Sequence, residues 1–228
     1  MIQKLVIVIG IVLLTLGCRV DSNVVSLSTK DVTKAIDGKV VSVRFKAVIT
    51  VPMDLEDKSQ KTQLDAIQQI LENYVDIEDY DIGKGVVGTK IEMEGTIPLL
   101  RSDRNDDVKV SVNSAWALVV IPIDKTDKSI FTKYDYRLSL ATTNQFPNMN
   151  DKLRKVNFML TAKKTQPMKI RLKNKDGKKL ELFCGPVEYK GKSLQYFEES
   201  FDSKKITLGM KGGIYEKVQP NLFFSIQK

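Results

Sequence analysis

Lys39-Val40-Val41-Ser42-Val43-Arg44-Phe45-Lys46-Ala47-Val48-Ile49-Thr50-Val51 is the stretch on which the fold turns. Val41, Val43, Phe45, Ala47, Ile49 and Val51 fall on one side of an extended chain, and Ser42, Arg44, Lys46 and Thr50 on the other. Period two with β-branched and aromatic residues predicts a long strand with one face buried, closed by Pro52. Working outward, Ser59–Val75 changes to helical period. Leu64, Ile67, Leu71, Tyr74 and Val75 form one stripe, which predicts an amphipathic helix. Strand patterns return at Thr89–Pro98, Val108–Ile123, Ile130–Thr142, Lys155–Ala162, Met168–Lys173 and Lys179–Cys184. Further strands are expected between Val187 and Ile226, split by Gly191, Gly209 and Gly212-Gly213. Two short helices are expected, one capped by Ser28 and running through Ile36, the other within Asn148–Arg154. Helices are too few for a doubly wound parallel sheet. The expected class is α+β: strand-rich, a mainly antiparallel sheet with one main amphipathic helix.

Charge divides the chain. Residues 1–150 hold 18 Lys+Arg against 20 Asp+Glu, net −2; residues 151–228 hold 18 against 8, net +10. With Pro147 in a polar stretch, this suggests an N-terminal α/β part, 18–147, and a basic C-terminal β part, 148–228. The 228 residues contain no histidine. That removes Ser-His and Cys-His nucleophile pairs, His general bases and His-ligated zinc. No S-x-x-K or carboxylate pair stands out, so a non-enzymatic protein without a cofactor is expected.

The first 17 residues have another character. Lys4 and the α-amine precede Leu5–Leu16, twelve residues without a charge. As a helix that run spans about 18 Å, well short of a bilayer core of about 30 Å. It reads as the apolar part of a signal peptide, 1–17. It ends Leu14-Thr15-Leu16-Gly17-Cys18, which resembles the lipobox of bacterial lipoproteins, where a small residue precedes the cysteine that becomes the acylated mature N-terminus. Gly17 and Cys18 match; Thr15 and Leu16 depart from the usual order. The resemblance implies lipidation at Cys18 and attachment to a membrane in the cell envelope. Arg19, not aspartate, follows the cysteine, which in the Gram-negative sorting rule implies the outer membrane. Arg19–Ser26 reads as a brief linker. Cys184 is then the one cysteine left, without an internal partner, and its place in Leu180-Glu181-Leu182-Phe183-Cys184 predicts a buried apolar group.

The densest basic stretch is Lys163–Lys179. In Met168–Lys173, strand period puts Lys169, Arg171 and Lys173 on one face, about 7 Å apart. Asp176-Gly177 is a turn dipeptide, and a hairpin there would bring Lys179 beside them. Two readings stay open. Lys169, Arg171, Lys173 and Lys179 form a face for an anionic partner (lipid headgroups, lipopolysaccharide phosphates or an acidic envelope protein), or a solvated face that lysine protects from edge pairing. Nucleic acid is not expected, since no aromatics interleave as stacking platforms. Gly83-Lys84-Gly85-Val86-Val87-Gly88 fits G-x-G-x-x-G by letter, but a strand pattern follows it where a dinucleotide site needs a helix. Asp76, Glu78, Asp79 and Asp81 read as a solvated acidic loop without metal.

Beyond the anchor, Cys18-Arg19-Val20-Asp21, Val25-Ser26-Leu27-Ser28, Val51-Pro52 and Ile97-Pro98 resemble the order of parts in small uncharacterised lipoproteins of bacterial and phage genomes. That likeness spans about the first 100 residues and implies no chemistry. The expected role is a membrane-anchored envelope lipoprotein that binds or shields a surface component, with a mobile-element origin compatible with it. The alternative is a structural or assembly subunit of an envelope machine.

Overall fold

The alternating run forms strand β2 (Val41–Val51), with Val43, Phe45 and Val51 buried and Ser42, Arg44 and Lys46 exposed. It pairs antiparallel along its whole length with β4 (Thr89–Arg101). The computed structural model describes residues 19–227 apart from 87, 105, 127–128, 159, 163–166, 203 and 211–220. Cys18, Lys163, Lys164 and Gly212-Gly213 therefore lie outside the described residues. The other strands are β1 (Arg19–Ser28), β3 (Asp76–Lys84), β5 (Trp116–Pro122), β6 (Tyr136–Thr142), β7 (Met168–Lys173), β8 (Leu180–Cys184), β9 (Val187–Tyr189), β10 (Lys192–Leu194), β11 (Phe197–Phe201), β12 (Lys205–Met210) and β13 (Asn221–Ile226).

The fold is strand-rich α+β, as the patterns imply, but the sheet is mixed and curls into a barrel-like form. Thirteen strands form one sheet in the order β10-β9-β12-β7-β1-β2-β4-β5-β6-β13-β8-β11, with β3 added to β4. The expectation of a mainly antiparallel sheet is corrected by two parallel joins, β1 with β7 and β4 with β5. Local alternation reveals neither the pairing of distant segments, as in β1 with β7, nor the direction of a connection, as in β4 to β5. Closure comes from one bent hairpin. β8 and β9 meet at Gly185-Pro186, β10 and β11 pair with them in one register, and Lys190 and Gly191 make the two-residue turn at positive φ. The β9 half pairs with β12 and the β8 half with β13, so the two ends of the strand order meet there.

Helices α1 (Thr29–Ile36), α2 (Lys58–Tyr74) and α3 (Phe146–Val156) follow local rules. The Ser28 hydroxyl accepts from the Asp31 N–H, and the Asp31 carboxylate accepts from the Ser28 N–H at 2.8 Å: a capping box. The predicted stripe of α2 is buried through Leu64, Ile67 and Leu71. Helix α3 carries Phe146, Met149, Asn150 and Leu153 inward and runs on to Val156. This corrects the strand expected at Lys155–Ala162. The chain after α3 is pinned instead by Asn150, whose side chain donates to the Ala162 carbonyl at 3.2 Å and accepts from its N–H at 2.8 Å. The strands expected at Val108–Ile123 and Ile130–Thr142 shorten to β5 and β6, with a 3-10 turn at Ile130–Lys133.

Three further expectations change. Arg19–Ser26 is not a linker but most of β1, which lies between β2 and β7. Asp76, Glu78, Asp79 and Asp81 are not on a loop but on β3. The division at Pro147 falls inside α3, and both sheet and core continue across it: β1 pairs with β7 and β6 with β13. One large apolar cluster draws on strands from both sides of that point. A second, small cluster of Val108, Val119, Ile121 and Ala141 packs the other face of β5, which explains that strand's nearly continuous apolar sequence.

Candidate anionic-surface face

Strand β7 presents its residues strictly by turns. Met168, Ile170 and Leu172 are buried, and Lys169, Arg171 and Lys173 are exposed. The predicted row of cations is thus present on the outside of the sheet. The predicted hairpin is absent, and this is a correction. β7 pairs with β1 and β12, while β8 pairs with β11 and β13. The Asp176-Gly177 turn is a real local feature, with Gly177 at positive φ and the Asn174 side chain donating to the Lys178 carbonyl at 2.8 Å. It redirects the chain from one wall of the barrel to another instead of folding β8 back on β7. Lys179 is exposed at the start of β8 and is no ladder neighbour of the row.

Register shows which residues do lie beside the row. Lys173 stands opposite Lys205 of β12, and Arg171 opposite Thr207. On the other side, Arg171 stands opposite Ser26 of β1, and Ser26 opposite Arg44 of β2. Arg44 and Lys205 are both exposed. Strands are about 4.8 Å apart, so Arg44 and Arg171 are two spacings apart, about 10 Å. The sequence placed Arg44 on the exposed side of its strand but could not show that β7 lay two strands away. Lys205 carried no signal, because its partner strand was unknown.

Among the described residues five lysines have carboxylate partners, and most other cations, those of this face included, have none. Lys46 meets Glu94 at 2.6 Å, Lys84 meets Glu56 at 3.2 Å, Lys90 meets Glu92 at 2.5 Å and Lys125 meets Asp135 at 3.0 Å. Lys133 pairs with Glu198. Among the described residues, Arg44, Lys169, Arg171, Lys173 and Lys205 have no carboxylate within 4.0 Å. Their mutual repulsion is left to water and salt to screen.

Other candidates are arranged otherwise. Gly85 donates its N–H to the Gly88 carbonyl at 2.9 Å in the turn from β3 to β4, so the G-x-G-x-x-G letters make a strand-to-strand turn. Among the described residues, no group of three or more His, Cys, Asp or Glu is placed to hold a metal. An apolar cavity of about 10 Å³ lies inside the barrel, lined by residues such as Leu27, Leu138, Ile170 and Phe224. It is about the size of one water.

On the opposite wall, Phe183 of β8 and Phe223 of β13 face outward. Phe131 stacks on Phe223 at 4.1 Å between ring centres, and Tyr196 stacks on Phe183 at 6.2 Å. Tyr196 and the adjacent Ile130 are exposed. Arg137 stands opposite Phe223, and burial lowers its pKa.

Cys184 ends β8 fully buried, and burial pushes its thiol up to about 12. The thiolate is the reactive form, so at pH 8 the native protein should label slowly with a thiol reagent. Denaturant should speed the reaction by orders of magnitude. Rapid labelling of native Cys184 would contradict this packing.

No family model matches the chain, and no curated protein matches it.

Proposed function

We propose that this is a lipid-anchored protein of the cell envelope, held through Cys18 and with a non-enzymatic binding or shielding role exercised by its basic outer face. The observation that carries the reading is the row Lys169, Arg171 and Lys173, solvent-exposed and without acidic partners among the described residues. An anionic surface relieves the repulsion within such a row. The lipobox-like Leu14–Cys18 segment supports the membrane attachment, and Arg19 after it supports the outer membrane.

The test uses residues 19–228 without lipid, which contain every described element, and vesicles with and without anionic phospholipid. Binding should need the anionic lipid and fall steeply between 0.1 and 1 M salt, as the screening length drops from about 10 Å to about 3 Å. Each cation near such a surface contributes about 1 kcal/mol, so changing Lys169, Arg171 and Lys173 together to glutamine should weaken binding about a hundredfold. Lys179→Gln alone should change it much less, since Lys179 stands on another wall. Equal binding by the triple variant, or no binding at low salt, would sink the reading. A second reading, an assembly subunit docking on an envelope machine, is favoured by the outward cluster of Phe131, Phe183, Phe223 and Tyr196.

A further inference from the structure

Strand β1 joins two features that the sequence keeps apart. It starts at Arg19, the residue after Cys18, and it runs through the middle of the basic face. On its outer side Ser26 is flanked by Arg44 and Arg171. Val24 is flanked by Lys46 and Lys169. Lys46 is neutralised by Glu94, and Arg44, Lys169, Arg171, Lys173 and Lys205 are the cations of this face without a carboxylate partner among the described residues. They span three strand spacings and two side-chain repeats, an area about 14 Å by 14 Å. After Asp21, whose carboxylate accepts from the Thr50 hydroxyl, β1 carries no acid. Acids border the face at Asp21 on β1, at Glu94 opposite Lys46 on β4, and at Glu188 on β9, in one row with Lys169 across Gly209.

We infer that this face lies flat on the leaflet that holds the Cys18 lipid, with Arg44, Lys169, Arg171, Lys173 and Lys205 on anionic phospholipid headgroups. The inference rests on the lipid-anchored reading above and names the partner of the same face. The competing pose stands the strands upright on the membrane. Arg19, Thr50, Lys90 and Gly83 occupy one row across β1, β2, β4 and β3. Upright, the β3–β4 turn with its fully exposed Val86 would meet the bilayer. Lys169 is level with Val24 and Lys173 with Ser28, five and nine residues from Arg19. At about 3.4 Å per residue they would then stand about 17 and 31 Å above the surface. A screening length of about 8 Å leaves charges at that height without effect on the leaflet. Only the flat pose brings all five cations within reach. Lipid at the edge of a polybasic face is also the two-signal arrangement that fixes a protein on a membrane. The lipid retains the protein, and the cations set which side faces down.

The experiment takes the full lipidated protein, purified from membranes and reconstituted into neutral or anionic phospholipid vesicles. Lysine acetylation is read residue by residue by mass spectrometry. In anionic vesicles Lys169, Lys173 and Lys205 should react at least fivefold more slowly than in neutral ones, and Lys84, beside the β3–β4 turn, at an unchanged rate. The Lys169→Gln, Arg171→Gln, Lys173→Gln variant should lose the difference at Lys205. Protection of Lys84 with Lys169, Lys173 and Lys205 unchanged would establish the upright pose and overturn the inference. So would equal rates in both vesicle types. If the unanchored chain still bound anionic vesicles, either of those results would leave the broader reading intact. Purified protein without lipid would overturn both.

Discussion

Cys18→Ser should abolish fatty-acid labelling and block the cleavage before residue 18, the largest single change expected from any substitution. The charge-free run Leu5–Leu16 is too short to span a bilayer as a helix, and the Gly17-Cys18 step follows it. Among the described residues, no helix is long and apolar enough to cross a membrane. In this account retention depends on acyl chains at one sulfur and one amine. Two or more chains hold a protein stably, whereas one chain alone is marginal. Serine in place of Cys18 removes the acceptor and should abolish labelling by a radioactive or clickable fatty acid. Unchanged labelling of the serine variant would mean that Cys18 is not the lipid acceptor.

Gly95→Ala should cost on the order of 3–5 kcal/mol, among the largest effects open to a single methyl group. A Cβ at Gly95 would lie 2.0 Å from the Asp76 carbonyl oxygen, where β3 crosses closely over β4 beside its bulge at Ile77–Asp79. The obstacle is backbone within a ladder, so no side-chain rotation relieves it. The two strands must separate and expose Tyr80 and Ile77, which pack against the core. For a domain of this size, 1 kcal/mol corresponds to about 2–4 °C, so the melting temperature should fall by roughly 10–15 °C. Gly83→Ala is the control in the same strand pair. Nothing lies within 4 Å of a Cβ there, and its melting should stay near wild type. Similar melting of the two variants would contradict the close approach of β3 to β4.

Elements with a strong internal period were legible in the sequence: β2, α1 with its cap, α2 and the alternation of β7 all stand where patterns placed them. What failed was pairing between distant segments. β1 looked like a linker because Asp21-Ser22-Asn23 is polar and, among the described side chains, its buried apolar residues are Val25 and Leu27. Its stability comes from β2, reached beyond α1, and from β7, far along the chain. β3 looked like an acidic loop for a similar reason. It pairs with one neighbour only, and its alternation is broken by the bulge, so Ile77, Tyr80 and Ile82 do not keep strict period two. The same limit applied to the candidate face. Exposure of Lys169, Arg171 and Lys173 followed from local alternation. The membership of Arg44 and Lys205, and the removal of Lys179, required knowing which strands lie beside β7.

The claim that organises all of this is that the mature protein begins at Cys18 and carries lipid there, one residue before the central strand of its basic face. The direct measurement is the intact mass and N-terminal peptide of the protein extracted from the envelope of cells that express the full chain. The account predicts that the N-terminal peptide starts at Cys18, with acyl chains on its sulfur and its amine, and that Arg19 follows unmodified. A mature protein that retains Met1–Gly17, or starts elsewhere with no lipid on Cys18, would contradict it.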